Sequence, residues 1–448
     1  MQQAEGVAAA AGPADEARAA RPSAQGTAAL PGEDPLTARA AEQAAAAGSG
    51  EHESAPTIDT ARLWSPTFVL VCAVSFFCYV HWCILGPIMP LWVQAHDGSA
   101  SLVGLVAFAF SITSFVLRPL IGRAVDSWSA RGVLGLSTLV LGLSGLGYFV
   151  YHVVLLLAVR SVHGIGWAGY NTGVNTLLSR VAPPARRGEA VGYMSTAQGI
   201  AQAVVPAGAL WMLGALGFAG MFVLCAAGGF LATLAVVLMP RQPRAPAPPR
   251  AESFWRGMIE RSALLPSSLQ FLTMLQQSPT MTFIPLYAAF RGIAVETLPA
   301  YYLGFGASSV ATRWLFGRWS DRVGRGWTLV VGTATSAVGL LLLSQASAIF
   351  ALTVGGVLVG FASAANSPAS MALAIDRAPE ARRGAAMATF SMSFQLADGG
   401  GALLFGLLVV AAGYQAMYYA AMLAPVATLL VLARYWQAAS SVPAVRRG

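Results

Sequence analysis

Twelve apolar runs divide this 448-residue chain, at residues 66–93, 101–122, 132–151, 153–179, 189–213, 216–240, 262–290, 297–318, 327–345, 348–374, 384–410 and 415–436. A helix rises 1.5 Å per residue, so about 20 apolar residues cross the hydrocarbon of a bilayer. Barrel strands would be about half as long and would alternate polar with apolar residues, which these runs do not do. Inside lipid a helix is then the remaining structure that satisfies its own backbone. Hydrophobic residues fill 56% of positions and charged residues 10%, and mean hydropathy is +0.62, a balance that belongs to membrane proteins. The expected fold is an all-α membrane protein with twelve transmembrane helices.

The second half of the chain repeats the first. Arg118, Pro119, Leu120, Ile121, Gly122, Arg123 and Asp126 recur 195 residues later as Arg313, Trp314, Leu315, Phe316, Gly317, Arg318 and Asp321. Pro90, Leu91 and Trp92 return as Pro285, Leu286 and Tyr287, and the stretch PPARRG at 183–188 returns as PEARRG at 379–384. Two pseudo-symmetric six-helix bundles are predicted, 63–240 and 262–436, joined by a linker at 241–261. Five prolines between Met239 and Ala251 mean that this linker needs no structure. Paired halves with a cavity between them can rock and expose one site to each side in turn.

The chain has no lysine, and its arginines lie on one side. One set of connections carries Arg123 and Arg131, then Arg180, Arg186 and Arg187, then Arg241, Arg244, Arg250, Arg256 and Arg261, then Arg318, Arg322 and Arg325, then Arg377, Arg382 and Arg383; the alternate set has Arg291. The positive-inside bias makes the rich side cytoplasmic, together with both termini, in a multi-pass plasma (inner) membrane. The net charge of +8 is therefore a topology signal that calls for no nucleic-acid partner. Residues 1–62, rich in Ala, Gly and Pro, with nine acidic and four basic side chains and no signal-peptide core, read as a disordered cytoplasmic tail; 437–448 reads as a second. Cys72, Cys78, Cys83 and Cys225 fall in apolar spans without metal-ligand spacing and read as small buried residues. A phosphate loop, a metal cluster and a nucleophile triad are all missing from the sequence, so ATP-driven transport, enzyme chemistry and a bound cofactor are not expected.

Two strings carry a resemblance. Gly122, Arg123, Ala124, Val125, Asp126 and Arg131, and more fully Gly317, Arg318, Trp319, Ser320, Asp321, Arg322, Val323, Gly324 and Arg325, resemble the signature loop of the major facilitator superfamily. The first copy departs from the pattern at Ser127, Ser129 and Ala130. Arg160, Gly164 and Gly166 resemble the superfamily's fourth-helix motif. Gly199, Pro206 and Gly208 look like a worn version of its exporter motif, with Val205 where a Gly precedes the Pro. The resemblance covers residues 63–436 and implies a secondary transporter, most like the twelve-helix drug:proton antiporter group, that exports small amphipathic molecules. It also implies that the loop Asp and Arg residues, with Arg118 and Arg313 beside them, clamp a cytoplasmic gate, and that Arg160 takes part in proton coupling. A proton-linked uptake symporter is the alternative, because one fold and one carboxylate serve both directions. A membrane scaffold or sensor working through the acidic tail is the third reading.

Asp398 lies about fourteen residues into the eleventh run, whereas every other acidic residue from Arg62 onward falls in a loop or at a helix end. A carboxylate at that depth has its ionised form disfavoured, which suits a proton carrier; alternatively, with Gly399, Gly400 and Gly401 following, it caps a break in the helix. Arg160 sits within about 10 Å of it along the membrane normal, facing a cavity or snorkelling to the headgroups. His81 and His163 titrate near neutrality or serve as neutral packing residues.

Polar residues at midspan supply the cavity candidates: Tyr79, His81, His163, Asn171, Asn175, Gln198, Gln202, Gln276, Gln277, Asn366 and Gln395. Phe76, Phe77, Trp82 and Trp167 read first as packing or lipid-facing aromatics, with stacking on a flat substrate as the alternative. Asn171 and Asn366 are 195 residues apart, and Gln202 precedes Asp398 by 196, so one member of the matched positions ionises and coupling is expected in the C-terminal half. The partners expected are a small-molecule substrate, protons and the lipid bilayer. A monomer suffices, since one chain supplies both halves.

Overall fold

The apolar runs fold into helices whose ends are set by short polar connections. A computed structural model describes residues 63–96, 98–183, 186–240, 260–379 and 382–440, except the side chains of Asp126 and of 435–440. Its helices are α1 (Pro66–His96), α2 (Ala100–Ser127), α3 (Ala130–Gly147), α4 (Val153–Val181), α5 (Arg187–Leu238), α6 (Leu264–Thr282), α7 (Ile284–Phe290), α8 (Pro299–Val323), α9 (Arg325–Gln345), α10 (Ile349–Arg377), α11 (Arg383–Ala421) and α12 (Leu423–Ser440). Among the described residues all regular structure is helical. The expected tail at 1–62 and the expected linker up to residue 259 lie outside the described residues, as do 441–448. Residues 437–440, expected to belong to a tail, instead extend α12.

The helices do not map one to one onto the runs. α5 spans 52 residues and holds the fifth and sixth runs, which meet at Gly217 with φ 61°. The eleventh and twelfth runs meet at Gly413, inside α11, with φ 83°. Only glycine enters that backbone region at little cost, so a single residue turns the chain where a loop is expected from sequence. The seventh run divides instead at Phe283 into α6 and α7, with Pro279 and Pro285 on either side of the joint. Among the described residues, eight stretches are long and apolar enough to cross a membrane, two of them 52 residues long. At 1.5 Å per residue each of these two has the length of two crossings. α6 and α8 fall outside the eight, and they carry Gln276, Gln277 and Arg313.

Ser129, a departure from the family loop, and Arg131, which matches it, both have local roles. Ser129 is the N-cap of α3, its hydroxyl accepting from the Gly132 N–H at 2.8 Å. Arg131 donates to the carbonyls of Val236 and Val237 at 3.1 and 2.9 Å, closing the last turn of α5 where a cation complements the helix dipole.

Packing follows the repeat. α2 and α3 lie on α4, as α8 and α9 lie on α10, while α2 against α11 and α5 against α8 join the two halves. Away from the Arg-rich connections one continuous apolar cluster runs through both halves, from Ile88 and Trp92 to Tyr287, Tyr301 and Phe405. Toward the Arg-rich end the core separates into a first-half cluster around Leu134 and Tyr170 and smaller second-half clusters around Leu329 and Phe316. The closed end depends on missing side chains: a Cβ on Gly104 would collide with the Ala402 backbone, and one on Gly306 with Ala203. Gly122 and Gly317, in the gate strings, meet open space. The two halves are therefore sealed at one end and parted at the Arg-rich end.

A second join lies at the start of the second half. Glu260 accepts from the Ser262 N–H and hydroxyl at 3.2 and 3.0 Å, while its own N–H donates to Thr389 of α11 at 2.9 Å. Its second carboxylate oxygen pairs with Arg382 at 2.6 Å, a contact of charge without hydrogen-bond alignment. The Ser262 donors, with Arg382 beside them, hold the Glu260 carboxyl below the ordinary carboxylate range. A depressed value favours the folded state above that range and ceases to do so as pH falls through it. Glu260→Gln should accordingly lower the thermal unfolding temperature at pH 7 and flatten its decline on the acid side, measured in detergent between pH 3 and 7. Gly104→Val should overpack the α2–α11 seam by about 1–3 kcal/mol, read as a lower unfolding temperature and freer labelling of a reporter cysteine on the closed end.

Candidate functional site

Asp398 stands on the walls of two cavities between the halves. The larger has a volume of about 360 Å³ and lies toward the Arg-rich end, with Arg118 of α2 and Arg313 of α8 on its walls. The smaller, about 100 Å³, lies toward the sealed end between Pro87, Pro90, Pro206 and Tyr302, and carries Arg160. Trp82, Phe110, Gln202, Met281 and Phe305 border both.

Asp398 is half-buried. Ser111 of α2 donates its hydroxyl to the carboxylate at 3.2 Å, so the group is fixed from across the seam, by the other half. α11 is helical through Asp398 and the three following glycines, its break falling at Gly413; the reading of Asp398 as a helix cap is corrected accordingly. Arg160 turns inward to the small cavity instead of snorkelling outward, its guanidinium carbon 5.2 Å from the Phe110 ring centroid, a cation–π distance.

The histidines do something else. His81 and His163 are fully buried and line neither cavity, so their expected place on the cavity wall is corrected to the first-half core. His81 Nδ1 lies 2.8 Å from the Cys225 carbonyl, which only accepts, so Nδ1 carries the proton and Nε2 a lone pair. His163 Nε2, 3.2 Å from His81 Nε2, must then donate, leaving its Nδ1 to accept from the Tyr148 hydroxyl at 2.9 Å. Arg160 is close enough to act on Tyr148 electrostatically. Each tautomer is fixed by the next partner, and the chain runs from the Tyr148 hydroxyl to a backbone carbonyl.

The other candidates divide similarly. Tyr79, Asn171, Gln198, Gln202, Gln277 and Gln395 line the larger cavity. Asn175 is exposed and bonds back to the Asn171 carbonyl of its own helix. Gln276 and Asn366 are buried off the cavity wall, and Asn366 stands where a side chain on Gly332 of α9 would go. Of the gate strings, Arg118 and Arg313 are placed on the cavity wall, one helical turn deeper than their loops. Arg325 pairs with Asp321 at 2.5 Å and Asp376 at 3.4 Å, and Arg318 lies 4.3 Å over the Trp314 ring, so these residues engage their own half. Gly324 ends α8 with φ 101°, Arg123 has partners of its own, Arg322 lies in the last turn of α8, and the Asp126 side chain lies outside the described residues.

Trp82 and Trp167 pack in the first-half cluster and stack on each other at 5.7 Å with an interplanar angle of 20° on the larger cavity's wall, while sequence reasoning missed Ser111 and Tyr148 altogether. A serine in an apolar run and a tyrosine at a helix end carry no spacing signal. Tyr148→Phe should leave His163 Nδ1 unpaired, at a cost of about 1–3 kcal/mol for the buried group, read as a drop in unfolding temperature that Cys225→Ala, with its backbone carbonyl intact, does not match.

A sequence model of the family described as Major Facilitator Superfamily matches residues 71–315 and 267–446. An uncharacterised MFS-type transporter of Methanocaldococcus jannaschii is 22% identical over 365 residues, 80% of this chain and 92% of that protein. The uncharacterised MFS-type transporter YhhS of Escherichia coli K12 is 26% identical over 371 residues, 78% of this chain and 88% of its own. Among solved structures, a D-xylose-proton symporter superposes with a TM-score of 0.66 at 18% identity, covering 82% of this chain and 96% of the symporter.

Proposed function

Because this chain belongs to the major facilitator superfamily, we propose that it is a proton-coupled secondary transporter of small amphipathic organic molecules, with Asp398 as the proton carrier. The observation that carries the reading is the placement of one carboxylate on the walls of both cavities, held by Ser111 of the opposite half. A proton there acts on the seam the two halves must open and close. Coupling requires that proton and substrate favour the two facings unequally. The twelve crossings, the bundles at 63–240 and 262–436 and the cytoplasmic Arg-rich end belong to this reading, as do the inner membrane and a monomeric carrier. The sealed end is then external, and the structure stands open to the cytoplasm.

Export by exchange for protons is the first mode, favoured by Gly199, Pro206 and Gly208 on α5, of which Pro206 lies against the smaller cavity. In it a substrate competes with the proton for Asp398. Symport is the second mode, in which the two bind together, and the excess of arginine on the cavity walls favours it.

Reconstituted vesicles of known orientation test both. A compound found by thermal-shift screening should move under an imposed pH gradient with wild-type protein, and Asp398→Asn should reduce gradient-driven flux at least about tenfold while exchange of labelled for unlabelled compound persists. Full gradient-driven flux in Asp398→Asn rules out this carboxylate as the carrier. The sign of the gradient that concentrates the compound separates export from uptake.

A further inference from the structure

Arg118 and Arg313 occupy equivalent positions in the two repeats and face one cavity from α2 and α8. Neither has an acidic partner: among the described residues the ion pairs are Arg186–Glu189, Arg325–Asp321, Arg325–Asp376 and Arg382–Glu260. Arg118 Nε is buried with no acceptor. Guanidinium stays charged in any protein environment, so the larger cavity carries two fixed positive charges against Asp398, its one acidic wall residue. The net charge of these groups is +1 with the carboxylate ionised and +2 with it protonated. Two cations on the wall of one cavity, Arg118 half-buried and Arg313 exposed, draw an anion into the space they border.

The surrounding wall is built for a ligand as well. Gln277 Nε2, Ser278 Oγ and Gln395 Oε1 are unpartnered, on residues that are 6%, 2% and 4% exposed and line the same cavity. The Trp82–Trp167 stack offers a flat apolar face. We propose that this cavity binds a soluble aromatic monoanion, its carboxylate-type head between Arg118 and Arg313 and its flat body against the tryptophans. Charge-assisted, forked hydrogen bonds to a carboxylate are what paired guanidinium groups make best. The volume of about 360 Å³ lies at the small end of ligand pockets, which fits a one- or two-ring acid.

The inference rests on the transporter reading above and gives it a sign. The charged groups facing the Asp398 side are Arg160 from α4, Arg118 from α2 and Arg313 from α8, with neutral Ser111 and Tyr79 beside them. Protonating Asp398 removes the only competing negative charge, which strengthens anion binding, and by reciprocity the anion assists the proton. Proton and substrate are loaded together, the arrangement of a symporter.

Calorimetric titration of the purified full-length protein with 2-naphthoate, 2-naphthamide and 2-naphthylmethylamine, three molecules of one shape and different charge, tests this. Wild type should bind the naphthoate at least about tenfold more tightly than the other two. Arg118→Gln and Arg313→Gln should each weaken it about tenfold or more, and Arg118→Lys, which keeps the charge, should restore part of the loss. Equal affinity for the three, no naphthoate binding by wild type, or wild-type binding by folded Gln variants overturns the proposal, and the three-ligand comparison needs no variant to fold. In weak buffer, naphthoate binding should take up protons with wild type and not with Asp398→Asn. Charge-selective binding without proton uptake supports the anion site while removing Asp398 as carrier, so the two readings fail separately.

Discussion

The halves of this protein are fastened by backbone meeting backbone. Where α2 crosses α11 and α5 crosses α8, Gly104 and Gly306 remove the side chains that would hold the helices apart, and a continuous apolar cluster fills the same end. Packing of this kind is an all-or-none fit, since interiors have little room to yield. Because the fit exists at one end only, the space left at the other becomes a cavity, and the residues on the inner faces of α2, α4, α8 and α11 become its walls. Membership of the superfamily follows from the whole chain, but the particular cavity follows from this seam.

Much of the architecture was legible in one dimension because lipid imposes a length. Runs of about twenty apolar residues can be little but helices, and a 195-residue repeat implies two related bundles. Single-residue bends were illegible, since Gly217 and Gly413 interrupt no apolar pattern. They announce themselves only through a positive φ.

The site was half legible, for a related reason. Depth along a helix can be counted from the sequence, whereas the direction in which a side chain points cannot be when a span is apolar all round. Asp398 stood out by chemistry alone. His81 and His163 have the right depth and the wrong azimuth, so they join a core network. Asn171 and Asn366 match in sequence position and differ in surroundings, the first on the cavity and the second buried behind it. Arg118 and Arg313 were visible within a loop motif, and only the fold shows that one turn of helix carries them from a gate to a binding surface.

The histidine network has a consequence for how tightly a proton circuit must be insulated. Its last acceptor is the Cys225 carbonyl, which has no hydrogen to pass on, so the string of donors from Tyr148 is a blind alley. A charge placed on His81 would set two N–H groups head to head, its Nε2 against that of His163. The first half is thereby wired to hold its two imidazoles in place, and a path through them is closed by their own tautomers.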